Sequence, residues 1–201
     1  MKTSVIAAIG VGLAALLSGC VNWASYPANP GEVAIKDPNT PSMEEIMMAG
    51  LSWTVRKYPP VSATGEHTGQ GRLAINLPPG VKPKVYRRVA EAAGGGAEPI
   101  TEANKDLPVY HVKSVRVRGD EGQINIIWPA TTLGQSPQGG PIWQEVKLGL
   151  HGGLSAWHVT SFREWGPGGS EPPPLNFYVK EEDLPPPGKS TEKPKKLPGG
   201  P

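Results

Sequence analysis

Apolar positions recur with two different periods along this chain. Met43, Ile46, Met47, Gly50, Trp53 and Thr54 follow a helical spacing, and Leu51 and Val55 widen the stripe. Ser42 with Glu45 has the form of a capping box, which predicts Ser42 as N-cap. The helix must stop by Tyr58, because Pro59-Pro60 disfavours helical geometry before it. Val61 to Gly71 reads as loop. Leu73, Ile75 and Leu77 then alternate with Arg72, Ala74 and Asn76, which predicts a half-buried strand closed by Pro78-Pro79-Gly80. A second helix opens at Pro83, with Val85, Tyr86, Val89 and Ala93 on one side, and stops at Gly94-Gly95-Gly96. Lys84, Arg87 and Arg88 fall on its other side and read as a solvated face.

From Val109 onward the period is two. Tyr110 and Val112 alternate, and Val115 and Val117 alternate one step out of phase, so a bulge is expected near Lys113-Ser114. A hairpin-length turn, Gly119 to Gly122, leads to Ile124, Ile126 and Trp128 on one strand face. A Gly- and Pro-rich loop runs from Gly134 to Pro141. Val146, Leu148 and Leu150 form the next strand, Gly152-Gly153 the next turn, and Trp157, Val159, Ser161 and Trp165 the last strand. The expected fold class is therefore α+β, an antiparallel meander of four to five strands covered by two helices. Leu175 to Val179 is a brief apolar run, expected to add an edge strand or to dock. In element order this resembles the cone-shaped nuclear-transport-factor-like folds and the cystatin-like folds. That resemblance implies a curved sheet wrapped around its helices.

Composition limits how much of the chain folds. Of 201 residues, 26 are Gly and 24 are Pro, a content at the edge of partial disorder. Only residues 42–165 carry enough apolar pattern for a core, which predicts one domain there. Residues 20–41 read as a flexible tether, spanning about 25 Å as a coil. Residues 166–201 read as a Pro- and Gly-rich, largely disordered tail, most clearly from Lys180 to Pro201. The formal charge of +2 gives no strong field, so no nucleic-acid partner is inferred.

The N-terminus carries the most specific signal. Lys2 precedes an uncharged apolar run from Val5 to Leu17. Thirteen residues reach only about 20 Å as a helix, short of a hydrocarbon core of about 30 Å. The run suits the apolar region of a signal peptide better than a membrane span. The stretch Leu17-Ser18-Gly19-Cys20 that closes it resembles the lipobox of bacterial prolipoproteins. By that resemblance residues 1–19 are a signal peptide, and Cys20 is the acylated N-terminus of the mature chain. The protein is then held in the cell envelope by a lipid anchor. Val21 follows the anchor where enterobacterial lipoproteins kept in the inner membrane often carry Asp, which favours the outer membrane. Cys20 is the only cysteine, and lipidation is the simplest account of one unpaired cysteine in an exported chain.

No motif downstream argues for catalysis or for a cofactor. The four histidines, His67, His111, His151 and His158, lack metal-ligand spacing, so no metal is expected. His111, on a strand, reads as a hydrogen-bonded structural residue. Gly153-Leu154-Ser155-Ala156-Trp157 lacks the second glycine of a nucleophile elbow. Asp120 and Glu121 occupy a turn, where acidic residues are common. Six tryptophans are many for this chain. Trp143, with Glu145 and Lys147, has the phase opposite to Val146, Leu148 and Leu150. These three residues are therefore expected on a water-facing surface as candidate partner-binding residues. The sequence thus predicts an envelope lipoprotein whose small non-catalytic domain binds a protein or glycan partner. The alternative is an enzyme or small-ligand site on the concave side of the sheet, with His111 or His158 beside an acid.

Overall fold

The computed structural model describes residues 22–60, 71–136 and 139–183. Cys20, the signal region, most of the Val61 to Gly71 loop and the tail from 184 onward lie outside the described residues.

The first apolar stripe forms helix α1, Pro41–Lys57. Its start corrects the expected capping box. Thr40 is the extended N-cap, with no side-chain capping bond, and Pro41 takes the first helical turn. A proline fits there because its missing N–H would be unpaired in any case. The first-turn acid Glu44 turns to the second helix, α2 (Pro83–Ala93), and holds Arg88 through two bonds of 2.5 and 2.6 Å. Arg88 is thus a clamp between the helices and not simply part of a solvated face.

Among the described residues eight strands form one sheet: β1 (Ala24–Tyr26), β2 (Val33–Ala34), β3 (Leu73–Asn76), β4 (Ala97–Pro99), β5 (Val109–Arg118), β6 (Glu121–Pro129), β7 (Trp143–His151) and β8 (His158–Glu164). The α+β class and the antiparallel run β5-β6-β7-β8 are as expected, but the sheet is larger and mixed. Its β5 meets two partners end to end on one edge. Val109 to His111 pair in parallel with β3, and Val115 to Val117 pair antiparallel with β1. The expected bulge, between Val112 and Ser114, falls between the two partners. The segment read as a flexible tether is thus part of the sheet from Ala24, and the folded unit starts well before residue 42. Strands of three and two residues are too short to display an alternating pattern.

Both helices cover one sheet face. Ile46, Met47 and Leu51 of α1 are at most 1% exposed, as are Ile124 and Ile126 of β6 and Val146 and Leu148 of β7. Each such side chain contributes roughly 1.5–3 kcal/mol through burial, so packing and not propensity fixes α1. Gly50 stands in the apolar stripe because α1 approaches β6 there. A Cβ on Gly50 would lie 2.7 Å from Ile124 Cγ2. Among the described residues the helix-covered face is filled by core side chains.

Beyond β8 the chain turns back across the opposite face. Residues 166–178 run from the start of β7 to β3 as a strap, held largely through its backbone groups. Trp165 N–H donates to Glu145 C=O at 3.0 Å, Gly168 N–H to Trp143 C=O at 2.8 Å, and Tyr178 N–H to Ile100 C=O at 2.8 Å. This corrects the reading of the whole stretch from 166 as largely disordered. The apolar run from Leu175 docks, as one of its two expected fates, and Glu181–Asp183 make a single 3-10 turn.

Candidate functional site

Cross-strand register divides the outer face, opposite the helices, into rows, because directly paired residues share a face. One row is Asn76, His111, Ile127 and Glu145 across β3, β5, β6 and β7. The next is Ser114, Asn125, Lys147 and Arg163 across β5 to β8. A third is Arg116, Gln123, Gly149 and Ser161. The strap covers the first row and leaves the other two open.

Under the strap, Asn76 is the central residue. Its Oδ1 accepts from Asn176 N–H at 2.8 Å, and its Nδ2 donates to Pro174 C=O at 3.1 Å. Those two backbone partners fix the amide orientation. The remaining Nδ2 hydrogen then goes to His111 Nδ1 at 2.9 Å, which places the imidazole hydrogen on Nε2. Nε2 is buried and has no partner among the described residues. The ring stands edge-on to Trp143, with centroids 5.1 Å apart at 81°. Burial pushes His111 down to a pKa of about 4, so it is neutral near pH 7. It is hydrogen-bonded, as its strand position led one to expect, to an amide and not to an acid.

Glu145 is only 5% exposed, which corrects its expected water-facing position. Its carboxylate accepts from Ser170 Oγ and Asn125 Nδ2, each at 2.6 Å, and from Lys113 Nζ at 2.9 Å. Burial alone would raise its pKa. The three hydrogen bonds and the Lys113 charge outweigh that and hold it below the ordinary carboxylate value. Trp143, half-buried, lies against His111 and the strap, so it too belongs to the covered half. Alternation placed both residues on the correct face; what it could not register is that the strap covers them.

Lys147 is the one of the three that stays on open sheet. It sits directly across from Arg163. Burial, then repulsion from Arg116 and Arg163, holds its pKa below the ordinary lysine value against the pull of Glu32. Arg116 is itself held by Glu32, with Nε to Oε2 at 3.0 Å, and by Gln123 at 2.8 Å. Two aromatic side chains flank this half. Arg116 and Arg118 lie over the Trp23 ring at 5.0 and 4.8 Å, and Arg163 over Trp165 at 5.6 Å.

Elsewhere the chemistry is dispersed. His151 and His158 pair across the β7–β8 hairpin with ring centroids 6.1 Å apart, and Asp120 lies 3.7 Å from His151. Among the described residues no three His, Cys, Asp or Glu side chains are grouped to hold a metal. None of the described helices is long and apolar enough to cross a membrane. A cleft of about 530 Å³ lies between α1 and the β7–β8 hairpin, lined by Met48, Ala49, Ala92 and Trp157 and bordered by fully exposed Leu154.

Comparison of the chain with protein-family models, with curated proteins and with solved structures finds no match. Sequence reasoning missed Asn76 and Asn176. One signal was present: Asn76 is a polar residue at an alternating position of a short apolar strand, where a buried side-chain bond is needed.

Proposed function

We propose that this protein is a bacterial envelope lipoprotein, anchored through acylated Cys20, whose domain is a non-catalytic binding module. The observation that carries the reading is the lipobox Leu17-Ser18-Gly19-Cys20 at the end of a short apolar run, with no other cysteine in the chain. The fold supports a close anchorage. Ala24 already belongs to the sheet, so the domain sits beside its anchor and not at the end of a long tether. Val21 favours the outer membrane. We read the fold, in outline only, as nuclear-transport-factor-like or cystatin-like, on the order helix, strand, helix and antiparallel meander, with further strands and the strap added. The partner is an envelope protein or glycan. Its contact is read at the apolar cleft beside Leu154, on the helix side of the sheet, because a fully exposed leucine next to half-buried Met48 and Ala49 gains nothing from the fold alone.

Metabolic labelling with a fatty-acid analogue tests the anchor. The native chain should incorporate label, and Cys20→Ser should abolish it and release or retain the precursor. Undiminished labelling of Cys20→Ser, or no labelling of the native chain, would sink the reading.

A further inference from the structure

On the outer face, carboxylates and cations do not balance. Glu145 is taken by Lys113, Glu32 by Arg116, and Glu121 by Arg118. Lys147 and Arg163 then remain, directly opposite one another, with no carboxylate in ion-pair range among the described residues. Like charges placed directly across a strand pair weaken the pairing. The fold gains nothing from this arrangement, whereas an anion lying over both would neutralise it.

We propose that the open half of the outer sheet face is a membrane-contact surface, on which Lys147 and Arg163 take the phosphates of anionic phospholipid headgroups. This rests on the reading of Cys20 as a lipid anchor. Cys20 precedes Trp23 by three residues, at most roughly 11 Å of extended chain. Trp23 stacks with Arg116 and Arg118, so the anchor emerges at the border of this same surface. The acyl chains therefore bring the cations to the headgroups at high effective concentration. A few cations alone bind an anionic bilayer weakly, roughly fivefold in partition per charge. An acyl anchor combined with a basic patch makes a two-signal attachment.

The flanking aromatics fit the same occupant. Trp23 and Trp165 are half-buried rings with a polar edge, the residue type that settles at headgroup level. Arg163, stacked on Trp165, has no carboxylate partner among the described residues, so its guanidinium edge stays available for a bidentate phosphate contact. Sheet contact through this face also leaves the helix side, with the Leu154 cleft, directed away from the bilayer.

The test uses the mature chain from residue 20 with Cys20→Ser, which carries no acyl group. It is sedimented at low ionic strength with vesicles of phosphatidylglycerol and phosphatidylcholine, and with vesicles of phosphatidylcholine alone. Binding should appear only with phosphatidylglycerol and should fall as salt is raised. The double variant Lys147→Gln/Arg163→Gln should lose about 25-fold in partition. Lys84→Gln/Arg87→Gln, which removes two cations from exposed α2 positions, should bind as the parent does. Melting curves establish that each variant is folded. If Lys147→Gln/Arg163→Gln is unfolded, Arg163→Gln alone should show a fivefold loss. No binding to phosphatidylglycerol vesicles, equal binding to phosphatidylcholine, or equal loss in the two double variants would overturn the proposal. So would retention on an anionic polysaccharide without vesicle binding, which would reassign the surface to a glycan. Because the tested chain lacks the acyl group, these outcomes leave the anchor untouched. An unlabelled Cys20 with intact vesicle binding would remove the anchor alone.

Discussion

The two halves of the outer sheet face share strands β5, β6 and β7 and carry similar polar side chains, yet they differ in what those side chains do. On the covered half, every hydrogen-bonding group of Asn76 is used, Glu145 has three donors, and His111 is held neutral. On the open half, Lys147 and Arg163 face each other without a counter-charge. The difference comes from the strap. Burial makes an unmade hydrogen bond expensive, and among the described residues His111 Nε2 is the one buried side-chain polar atom without a partner. Water screens the open half and tolerates an arrangement that the fold does not need.

The sharpest way to break this comparison is Asn76→Ala. It leaves His111 Nδ1, Asn176 N–H and Pro174 C=O without their partner. At about 1–3 kcal/mol for each unsatisfied buried group, a loss of about 3 kcal/mol or more is expected in urea unfolding. A loss below about 1 kcal/mol would mean that water reaches this half as freely as the other.

Acid should distinguish the halves next. His111 has a folded pKa of about 4 against 6.5 in the unfolded chain. With a depressed folded pKa, its contribution is complete above pH 6.5 and is lost as pH falls from there through about 4. The full loss is on the order of 3 kcal/mol. Glu145, also depressed, adds a loss that begins only below its ordinary value of 4.5. Unfolding free energies measured between pH 7 and 4 should therefore fall, and His111→Gln should flatten that fall. A parent that shows no change over this window would refute the buried, neutral imidazole.

The same comparison explains which parts the sequence made legible. Alternation at Val146, Leu148 and Leu150 gave the buried face, because a strand's period of two leaves no other reading once one face is apolar. The phase slip at Lys113-Ser114 gave the bulge. Alternation also placed Trp143, Glu145 and Lys147 together on the outer face, but it carries no information about what lies on top. The strap is not legible because its residues follow neither period and many of its attachments are backbone groups, such as Gly168 N–H and Tyr178 N–H, which every sequence possesses, with Ser170 and Asn176 adding side-chain bonds. Strands β1 and β2 are hidden because so few residues cannot establish a period. The misplaced cap has a different cause. Ser42-Glu45 and Thr40-Pro41 are both acceptable starts, and the Glu44–Arg88 contact between helices occupies the first turn in a way that the local pattern does not encode.

The smallest expected effect lies on the open half and runs in the opposite sense. Lys147→Gln removes a cation that faces Arg163 and is repelled also by Arg116. Only Glu32 attracts it, and Glu32 is already engaged by Arg116. Stability should therefore stay within about 0.5 kcal/mol of the parent, as surface substitutions usually do, and any shift should be upward. Because the repulsion acts through solvent, salt should reduce it, so the variant and the parent should converge as salt is raised. If Lys147→Gln instead lost as much stability as Asn76→Ala, Lys147 would be holding the sheet together, and the contrast between a covered half that the fold needs and an open half that it does not would fail.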